Sequence, residues 1–245
     1  MFPIRDHNPS GRTPYVTLAL IALNVIVFLA TYVSASDWDL ARTYATWGMV
    51  PGRLMAGQGY ETLITHMFLH GGWMHILGNM LFLWIFGDNL EDLLGHVRFL
   101  LFYLVSGLAA AALQIAPDPM SPVPMVGASG AIAGVMGGYL LMFPKARVDV
   151  LVIIIIFFRI FTLPAWVILG LWLGIQVFSG LATPTDAGGV AYWAHVGGFA
   201  AGLALMVPVW RRRGAQGYWQ ETQGQPPHAE ARYPLSRSSI PRVRR

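Results

Sequence analysis

The chain has 245 residues, of which 55% are hydrophobic and only 11% are charged. An average soluble domain has about 45–50% apolar residues and about 25% charged ones. With a mean hydropathy of +0.53, this composition excludes an ordinary soluble enzyme, a disordered protein and a collagen-like chain. The absence of cysteine excludes a disulfide scaffold, cysteine-ligated zinc and a cysteine nucleophile. The net charge of +4 comes mostly from loops and the C-terminal tail, so membrane orientation explains it more simply than nucleic-acid binding.

Six segments are candidate transmembrane helices, because a helix needs about 20 mostly apolar residues to cross a bilayer core. They are Tyr15–Ser34, Met74–Phe86, Val97–Ala116, Gly127–Phe143, Pro164–Leu181 and Gly188–Trp210. The sequence therefore predicts an all-α membrane protein with a compact bundle of six transmembrane helices over residues 15–210. Residues 1–14 are expected to be a cytoplasmic N-terminal segment, and the first span is interpreted as an uncleaved anchor. Residues 211–245 are rich in Arg, Gln, Pro and Ser and are expected to form a flexible basic cytoplasmic tail.

The basic residues predict which ends of the helices face the cytoplasm. With six spans and a cytoplasmic N-terminus, Arg42 and Arg53 are the only outer residues among the 16 Lys and Arg of the chain. Cytoplasmic loops of membrane proteins carry an excess of Lys and Arg. Both termini are therefore predicted to be cytoplasmic, and Ala35–Trp73 is predicted to be a long first outer loop.

The apolar segment Val148–Ile160 is too short to be counted as a span, and it contains Arg159. Its many β-branched residues favour extended structure. We expect it to stay on the cytoplasmic side, as an extended or interfacial segment packed against the bundle, with Pro164 starting the fifth span. A further crossing here would move His195 to the inner half of the membrane, far from Ser129.

Ser129 is the first candidate catalytic residue, because it lies in a G-A-S-G sequence at 127–130 that opens the fourth predicted span. Small residues are common where membrane helices pack, and Gly130, Gly134 and Gly138 form such a ridge. Packing alone is therefore one explanation for this sequence. A nucleophilic serine has the same needs, since small neighbours admit a carbonyl group and N–H groups at a helix start can stabilise an oxyanion.

His195 lies inside the sixth predicted span, and Gly198 and Gly202 follow it on positions that clear the same helix face. A histidine in a span can simply hydrogen-bond a neighbouring helix, but these glycines also let another helix approach the imidazole. At about 1.5 Å per residue, Ser129 and His195 lie at similar depths below the outer surface. Asp186 lies in a glycine-rich outer loop, so no acidic residue is placed to orient His195. The spacing therefore favours a Ser–His dyad, with serine as nucleophile and histidine as general base and acid.

His75 and Asn79 are four residues apart and share one helix face just inside the outer boundary. Both can donate hydrogen bonds to a developing oxyanion. His66 and His70 have the same spacing, so a metal site is an alternative. No carboxylate is near in sequence and the H-E-x-x-H pattern is absent, so neither a metal nor another cofactor is expected.

These motifs, in this order, resemble those of the rhomboid family of intramembrane serine proteases over about residues 13–209. The matching residues are His75 and Asn79 in H-x-x-x-N, Gly127, Ser129 and Gly130 in G-x-S-G, and Ala194, His195, Gly198 and Gly202 in A-H-x-x-G-x-x-x-G. The resemblance implies a six-helix bundle with a water-filled cavity open to the outside. It implies that Ser129 is the nucleophile and His195 its base. His75, Asn79 and the Ser129 backbone N–H would form the oxyanion hole.

Some further positions match the family pattern, and others depart from it. Gly87, Glu91 and Gly95 match it at the inner end of the second span, where Glu91 is expected to hold the cytoplasmic ends together. Many members carry a Trp-Arg pair in the first outer loop, where this chain has Glu-Thr at 61–62. Some have an aromatic residue four positions after the serine, where this chain has Ala133. The orientation of the catalytic histidine is then left to other neighbours.

The resemblance implies an intramembrane serine endopeptidase that cleaves transmembrane segments of other membrane proteins near the outer face. Its partners would be those substrates and the lipid bilayer, without nucleic acid, and it is expected to act as a monomer in the inner cell membrane. The loop 117–124 leads into submerged Gly127, so a wet cavity is expected there.

Two other functions are considered. One is a catalytically inactive rhomboid-like protein that binds membrane clients; such relatives lack the serine or the histidine, and this chain has both. The other is a small-solute or metal transporter, which is disfavoured because the sequence has no convincing repeat or paired broken helices.

Overall fold

The computed structural model describes residues 2–8, 10–154, 157–184 and 189–225. Within these residues the chain forms three strands, ten α-helices and one 3-10 helix. The strands are β1 (Phe2–Asp6), β2 (Arg147–Ile154) and β3 (Phe157–Pro164). The helices are α1 (Tyr15–Tyr32), α2 (Asp37–Trp47), α3 (Pro51–Met55), α4 (Thr62–Thr65), the 3-10 helix (His66–Phe68), α5 (Trp73–Leu94), α6 (His96–Ile115), α7 (Ser129–Met142), α8 (Ala165–Ala182), α9 (Tyr192–Arg212) and α10 (Gln216–Thr222).

The six longest of these helices, α1 and α5 to α9, pack as a bundle. Neighbouring helices along the chain are antiparallel, so α7 and α9 run in the same direction side by side. The three strands and α10 lie at one end of the bundle, which we call the sheet end. The connections within residues 33–72, 116–128 and 183–191 lie at the other end, the loop end, as far as the structure describes them.

Among the described residues, four helices are long and apolar enough to cross a membrane. They are Tyr15–Tyr32, His96–Ile115, Ala165–Ala182 and Tyr192–Arg212. The remaining two of the six are α7, which has only 14 residues, and α5, which carries polar side chains such as His75, Asn79 and Asp88 along its length. The chain is thus a multi-pass membrane protein, and the crossing of all six helices stays a prediction.

Helix α7 lies at the centre of the bundle, in contact with α5, α6, α8 and α9. Eleven of its 14 residues are buried, and Val135, Met136 and Tyr139 are among the most buried side chains of the main core. A helix that is apolar on every side is surrounded by protein or lipid. Here the other helices surround it, so its first residue, Ser129, lies inside the bundle.

The segment predicted to be extended forms an antiparallel hairpin of β2 and β3, and β1 pairs antiparallel with the free edge of β2. Val148 and Val150 are buried, since alternate residues of a strand face the same side. Helix α8 then begins at Ala165, directly after Pro164. The extended prediction is confirmed for the described residues, whereas the expected all-α fold is wrong at this end. The β-branched run there completes its backbone hydrogen bonds with the N-terminal strand.

A polar cluster around Asp149 fastens the N-terminal strand to the hairpin. The Asp149 carboxylate accepts hydrogen bonds from the Thr162 hydroxyl at 2.6 Å and from Arg5 at 2.9 Å, and His7 Nε2 lies 2.9 Å away. The hydrogen bond from Thr162, with those from His7 and Arg5, lowers the pKa of Asp149 to about 2. Asp149 therefore stays ionised near neutral pH and holds three strands together.

Glu91, near the end of α5, joins three helices at the sheet end. Its carboxylate accepts hydrogen bonds from the backbone N–H groups of Val16 at 2.8 Å and Thr17 at 2.7 Å, and from the Thr17 hydroxyl at 2.7 Å. His96 Nδ1 lies 2.5 Å from the same carboxylate. Glu91 thus satisfies N–H groups at the start of α1 that have no partner within that helix. This contact pattern agrees with the structural role expected for Glu91.

Arg53 connects separate parts of the first loop. It lies close to residues 61–62, where this chain has Glu-Thr in place of the Trp-Arg pair of many rhomboid family members. Its guanidinium donates to the backbone carbonyls of Ala45 at 2.7 Å and Thr46 at 3.0 Å, and it lies 3.7 Å from the Glu61 carboxylate. The Glu-Thr pair at 61–62 therefore takes part in the internal packing of this loop.

Residues 211–225, the described part of the expected flexible tail, are helical over most of their length. Helix α9 continues to Arg212, and α10 packs against the bundle. Tyr218 is buried, and the Trp219 indole N–H donates to the Leu141 carbonyl at 2.9 Å. These two aromatic residues give a mostly polar segment enough apolar surface to dock. Residues 226–245 of the expected tail lie outside the described residues.

The orientation of the bundle can be tested with single cysteines, since the chain has none of its own. Arg147 is exposed at the sheet end and Gln58 is exposed at the loop end. In intact cells we expect an impermeant thiol reagent to label Gln58→Cys from outside and to label Arg147→Cys only after permeabilisation. Labelling of Arg147→Cys from outside would contradict a cytoplasmic sheet end.

Candidate active site

The structure brings Ser129 and His195 into direct contact. Ser129 is the first residue of α7, and His195 lies in the first turn of α9. The His195 Nε2 atom is 2.8 Å from the Ser129 Oγ atom, which is hydrogen-bond distance. His195 is 9% exposed, so the imidazole is almost fully enclosed by the helices around it. This is the geometry in which a histidine can accept the proton of a serine hydroxyl.

Glycines let α7 and α9 approach closely enough for this contact. A Cβ added to Gly198 would overlap the backbone carbonyl of Gly130, and one added to Gly202 would overlap that of Gly134. The two helices therefore touch backbone to backbone, as small residues allow in membrane helix pairs. The prediction that the glycines after His195 clear a face for the fourth span agrees with these contacts.

Gly127 allows the backbone turn that leads into Ser129. Its φ angle of +130° lies in a region that L residues rarely adopt. A Cβ at this position would also lie 2.7 Å from His75 Nε2. Its N–H donates to the His66 carbonyl at 2.9 Å, which ties this turn to the first loop.

Three hydrogen-bond donors belong to residues that line the same cavity as the Ser129 side chain. His75 Nδ1 accepts a hydrogen bond from the Gly71 N–H at 3.2 Å, so the proton of the neutral ring is on Nε2, which faces Gly127. The Asn79 amide nitrogen is buried and makes no hydrogen bond within the described part of the chain. The Ser129 N–H is one of the helix N–H groups that lack a partner inside the helix. Together they can stabilise negative charge on an oxygen next to Ser129.

A cavity of about 700 Å³ gives access to these groups from the loop end. It is bounded by α5, α7, α8, α9 and the loop before Ser129. Its polar lining includes Ser129, His195, His75, Asn79, Gln114 and Asp118. Residues 123–126 of the loop after Pro122 also line it, at the place where the sequence predicted a wet cavity. The cavity is large enough for an extended stretch of peptide together with water.

Sequence reasoning missed two neighbours of His195, both on α8. The Gln176 amide oxygen is 2.8 Å from His195 Nδ1. The Trp172 ring centroid is 5.6 Å from the imidazole centroid, with the planes inclined by 36°. Trp172 thus provides the aromatic contact that Ala133, a buried small residue, does not. A lone glutamine in an apolar membrane helix was a signal for Gln176, since polar residues in spans are functional candidates by default.

The two histidines of the alternative metal site, His66 and His70, have different surroundings. His66 Nδ1 lies 2.7 Å from the Thr62 carbonyl. His70 is buried, and its ring packs edge-on against that of His75 at a centroid distance of 5.0 Å. In the part of the chain that the structure describes, no group of three or more His, Asp or Glu residues could hold a metal ion.

The sequence is also similar to that of known proteins. The Rhomboid domain model matches residues 57–212, a range that contains His75, Asn79, Ser129 and His195. Rhomboid protease GluP of Bacillus subtilis (strain 168) is 35% identical over 127 residues, which is 52% of this chain and 24% of that protein. Putative rhomboid protease YdcA of the same strain is 37% identical over 129 residues, covering 53% of this chain and 62% of that protein.

A eukaryotic relative covers more of the chain. Rhomboid-related protein 2 of Mus musculus is 30% identical over 202 residues, which is 78% of this chain and 61% of that protein. The chain thus spans less than two thirds of the length of each of these three relatives.

The close contact of α7 and α9 generates a stability prediction. Replacing Gly202 with alanine would force the helices apart, and overpacking of this kind typically costs about 1–3 kcal/mol. The matched control is Gly170→Ala on α8, where an added Cβ meets no heavy atom within 4 Å and helix propensity improves. Unfolding in mixed detergent micelles should show a lower free energy for Gly202→Ala only. Equal stability of the two variants would mean that α7 and α9 do not touch at this point.

Proposed function

Because the chain belongs to the rhomboid family, we propose that it is an intramembrane serine endopeptidase that cleaves transmembrane segments of other membrane proteins near the outer face. The observation that carries this proposal is the 2.8 Å contact between Ser129 Oγ and His195 Nε2, inside a cavity open at the loop end. A serine and a histidine in this relation form the minimal apparatus for acyl transfer.

The reaction begins with proton transfer from Ser129 Oγ to His195 Nε2. The serine oxygen attacks the peptide carbonyl carbon, and the histidine then gives the proton to the leaving amine. This leaves an acyl-enzyme on Ser129. A water molecule from the cavity, activated by the same histidine, releases the acyl group and restores the serine.

The tetrahedral intermediate of each step carries negative charge on the former carbonyl oxygen. We assign its stabilisation to His75 Nε2–H, the Asn79 amide and the Ser129 backbone N–H. The buried Asn79 amide nitrogen has no hydrogen-bond acceptor among the described residues, and this supports the role, since a buried donor without an acceptor is costly in the resting protein. Such donors act best when they are fixed before the charge develops.

The substrate is a transmembrane helix that unwinds near the outer surface. Peptide hydrolysis needs water, and irregular backbone at membrane depth is stable only next to protein or a wet cavity. A cavity that lies beside the start of α7 meets both needs. Segments with glycine, proline or small polar residues near the cleavage site are therefore the preferred substrates, because they unwind at lower cost.

We propose that the protein acts as a monomer in the inner cell membrane. In the proposed orientation both termini lie in the cytoplasm. Its support is the charge distribution, since Arg42 and Arg53 lie at the loop end while Arg5, Arg98 and Arg147 lie at the sheet end.

Substitution of the two reacting residues tests the function. We expect Ser129→Ala and His195→Ala each to abolish cleavage of a reporter transmembrane substrate by purified protein in liposomes. A fluorophosphonate probe should label the wild type and fail on Ser129→Ala, because the probe reacts with an activated serine. Thermal unfolding of both variants should remain cooperative.

Two results would contradict this assignment. Cleavage by either variant at the wild-type rate would remove that residue from the mechanism. A wild-type protein that binds the reporter without cutting it would favour the inactive client-binding protein instead.

The oxyanion assignment predicts a different, partial loss. Removing one such donor typically lowers the rate by about 10²–10³-fold, so we expect Asn79→Ala and His75→Ala to keep measurable but strongly reduced turnover. The matched control is Leu77→Ala on the same helix. The Leu77 side chain is 58% exposed and does not line the cavity, so this change should leave kcat unchanged. Wild-type turnover in both Asn79→Ala and His75→Ala would show that backbone groups alone form the oxyanion hole.

A further inference from the structure

Helix α8 places one amide side chain against His195. The helix has no charged residue, and only Ala165, Leu169, Gln176 and Gly180 are buried in it. Gln176 is 7% exposed, so its amide lies within the bundle although most of its helix faces outward. A buried amide in an apolar membrane helix is costly unless its hydrogen bonds are satisfied.

The two ends of the Gln176 amide have different partners. Its nitrogen donates to the Trp172 carbonyl one turn earlier at 3.4 Å, which directs its oxygen toward His195 Nδ1 at 2.8 Å. An amide oxygen can only accept a hydrogen bond, so Nδ1 is the protonated nitrogen of the neutral imidazole. The lone pair of the ring is then on Nε2, the atom that faces Ser129 Oγ at 2.8 Å.

We infer that Gln176 is the positioning residue of the Ser129–His195 pair. It fixes the tautomer and the ring orientation in which His195 can accept the serine proton, as the carboxylate does in a Ser-His-Asp triad. This inference rests on the proposed protease function. Among the described residues Gln176 lies on the far side of His195 from Ser129 and is not part of the cavity lining, so it acts through the histidine and not on the substrate.

The choice of an amide has a physical reason. A carboxylate at this depth would lose its hydration, and the cost of an isolated buried charge is large. A glutamine oxygen accepts the same hydrogen bond without carrying a charge. The site therefore gains an oriented histidine without an ionised group in the apolar part of the bundle.

The test compares two replacements of similar size. Gln176→Met keeps the length of the side chain but removes the amide acceptor, whereas Gln176→Glu keeps an oxygen acceptor. We expect Gln176→Met to lower kcat by about 10- to 100-fold with little change in KM. We expect Gln176→Glu to lose less than Gln176→Met, because its carboxylate accepts the same hydrogen bond although it is costly to ionise at this depth. The matched control is Ile175→Met on the outward face, 51% exposed, which should behave as wild type.

A measurement on the wild type does not depend on how the variants fold. In ¹⁵N NMR of histidine-labelled protein, the His195 signals are assigned by their absence in His195→Ala. We expect these signals to show protonated Nδ1 and unprotonated Nε2. The opposite tautomer would overturn the inference, and so would wild-type kcat in Gln176→Met or an equal loss in Gln176→Met and Gln176→Glu.

The two proposals fail in different ways. If the wild type neither cleaves the reporter nor reacts with the fluorophosphonate, the protease function fails, whatever the tautomer. If the wild type is active and Gln176→Met is equally active, only the positioning role fails.

Discussion

The direct backbone contact between α7 and α9 is the constraint on which the rest of the structure depends. Gly130 and Gly134 on one helix meet Gly198 and Gly202 on the other. Because these residues have no side chains, the backbones of the two helices touch. Dispersion forces between close surfaces drive helix association in membranes, where burial from water contributes little. The same contact brings the first turns of both helices together, and with them Ser129 and His195. Packing and chemistry therefore depend on one set of glycines.

The polar groups that hold the elements in place are concentrated at the sheet end. Glu91 binds the start of α1, Asp149 binds the N-terminal strand, and Asp6 accepts hydrogen bonds from Tyr139 at 3.0 Å and Asn89 at 2.9 Å. Hydrogen-bonded carboxyl groups are tolerated there because water and headgroups are near. The cavity opens at the opposite end, the loop end, away from these three carboxyl groups.

The parts of the fold that were predictable from sequence depend on local pattern. Long apolar runs specify helices, and the β-branched residues of Val148–Ile160 specify extended structure. The helix-facing glycines after His195 could be interpreted in the same way, because spacing on a helix determines which residues share a face. These features need no knowledge of distant contacts.

The parts that were not predictable depend on partners far away in sequence. Strand β1 forms only because β2, more than 140 residues later, offers an open edge. Helix α10 forms because Tyr218 and Trp219 find a surface on the bundle. Gln176 meets His195 across a helix–helix contact whose rotation no single helix specifies, so its polarity indicated a role but not a partner.

The depth of the candidate site within the bundle also bears on the electric charge of its side chains. The side chains that the two proposals assign to the site are those of Ser129, His195, His75, Asn79 and Gln176, and none of them carries a formal charge when both histidines are neutral. In the proposed reaction the imidazolium and the oxyanion form together, so the net charge of the site stays at zero. Two opposite charges about 4 Å apart attract by about 4 kcal/mol at an effective dielectric constant of about 20. The charges that the reaction creates therefore stabilise each other, and a permanent carboxylate is not needed to balance the histidine.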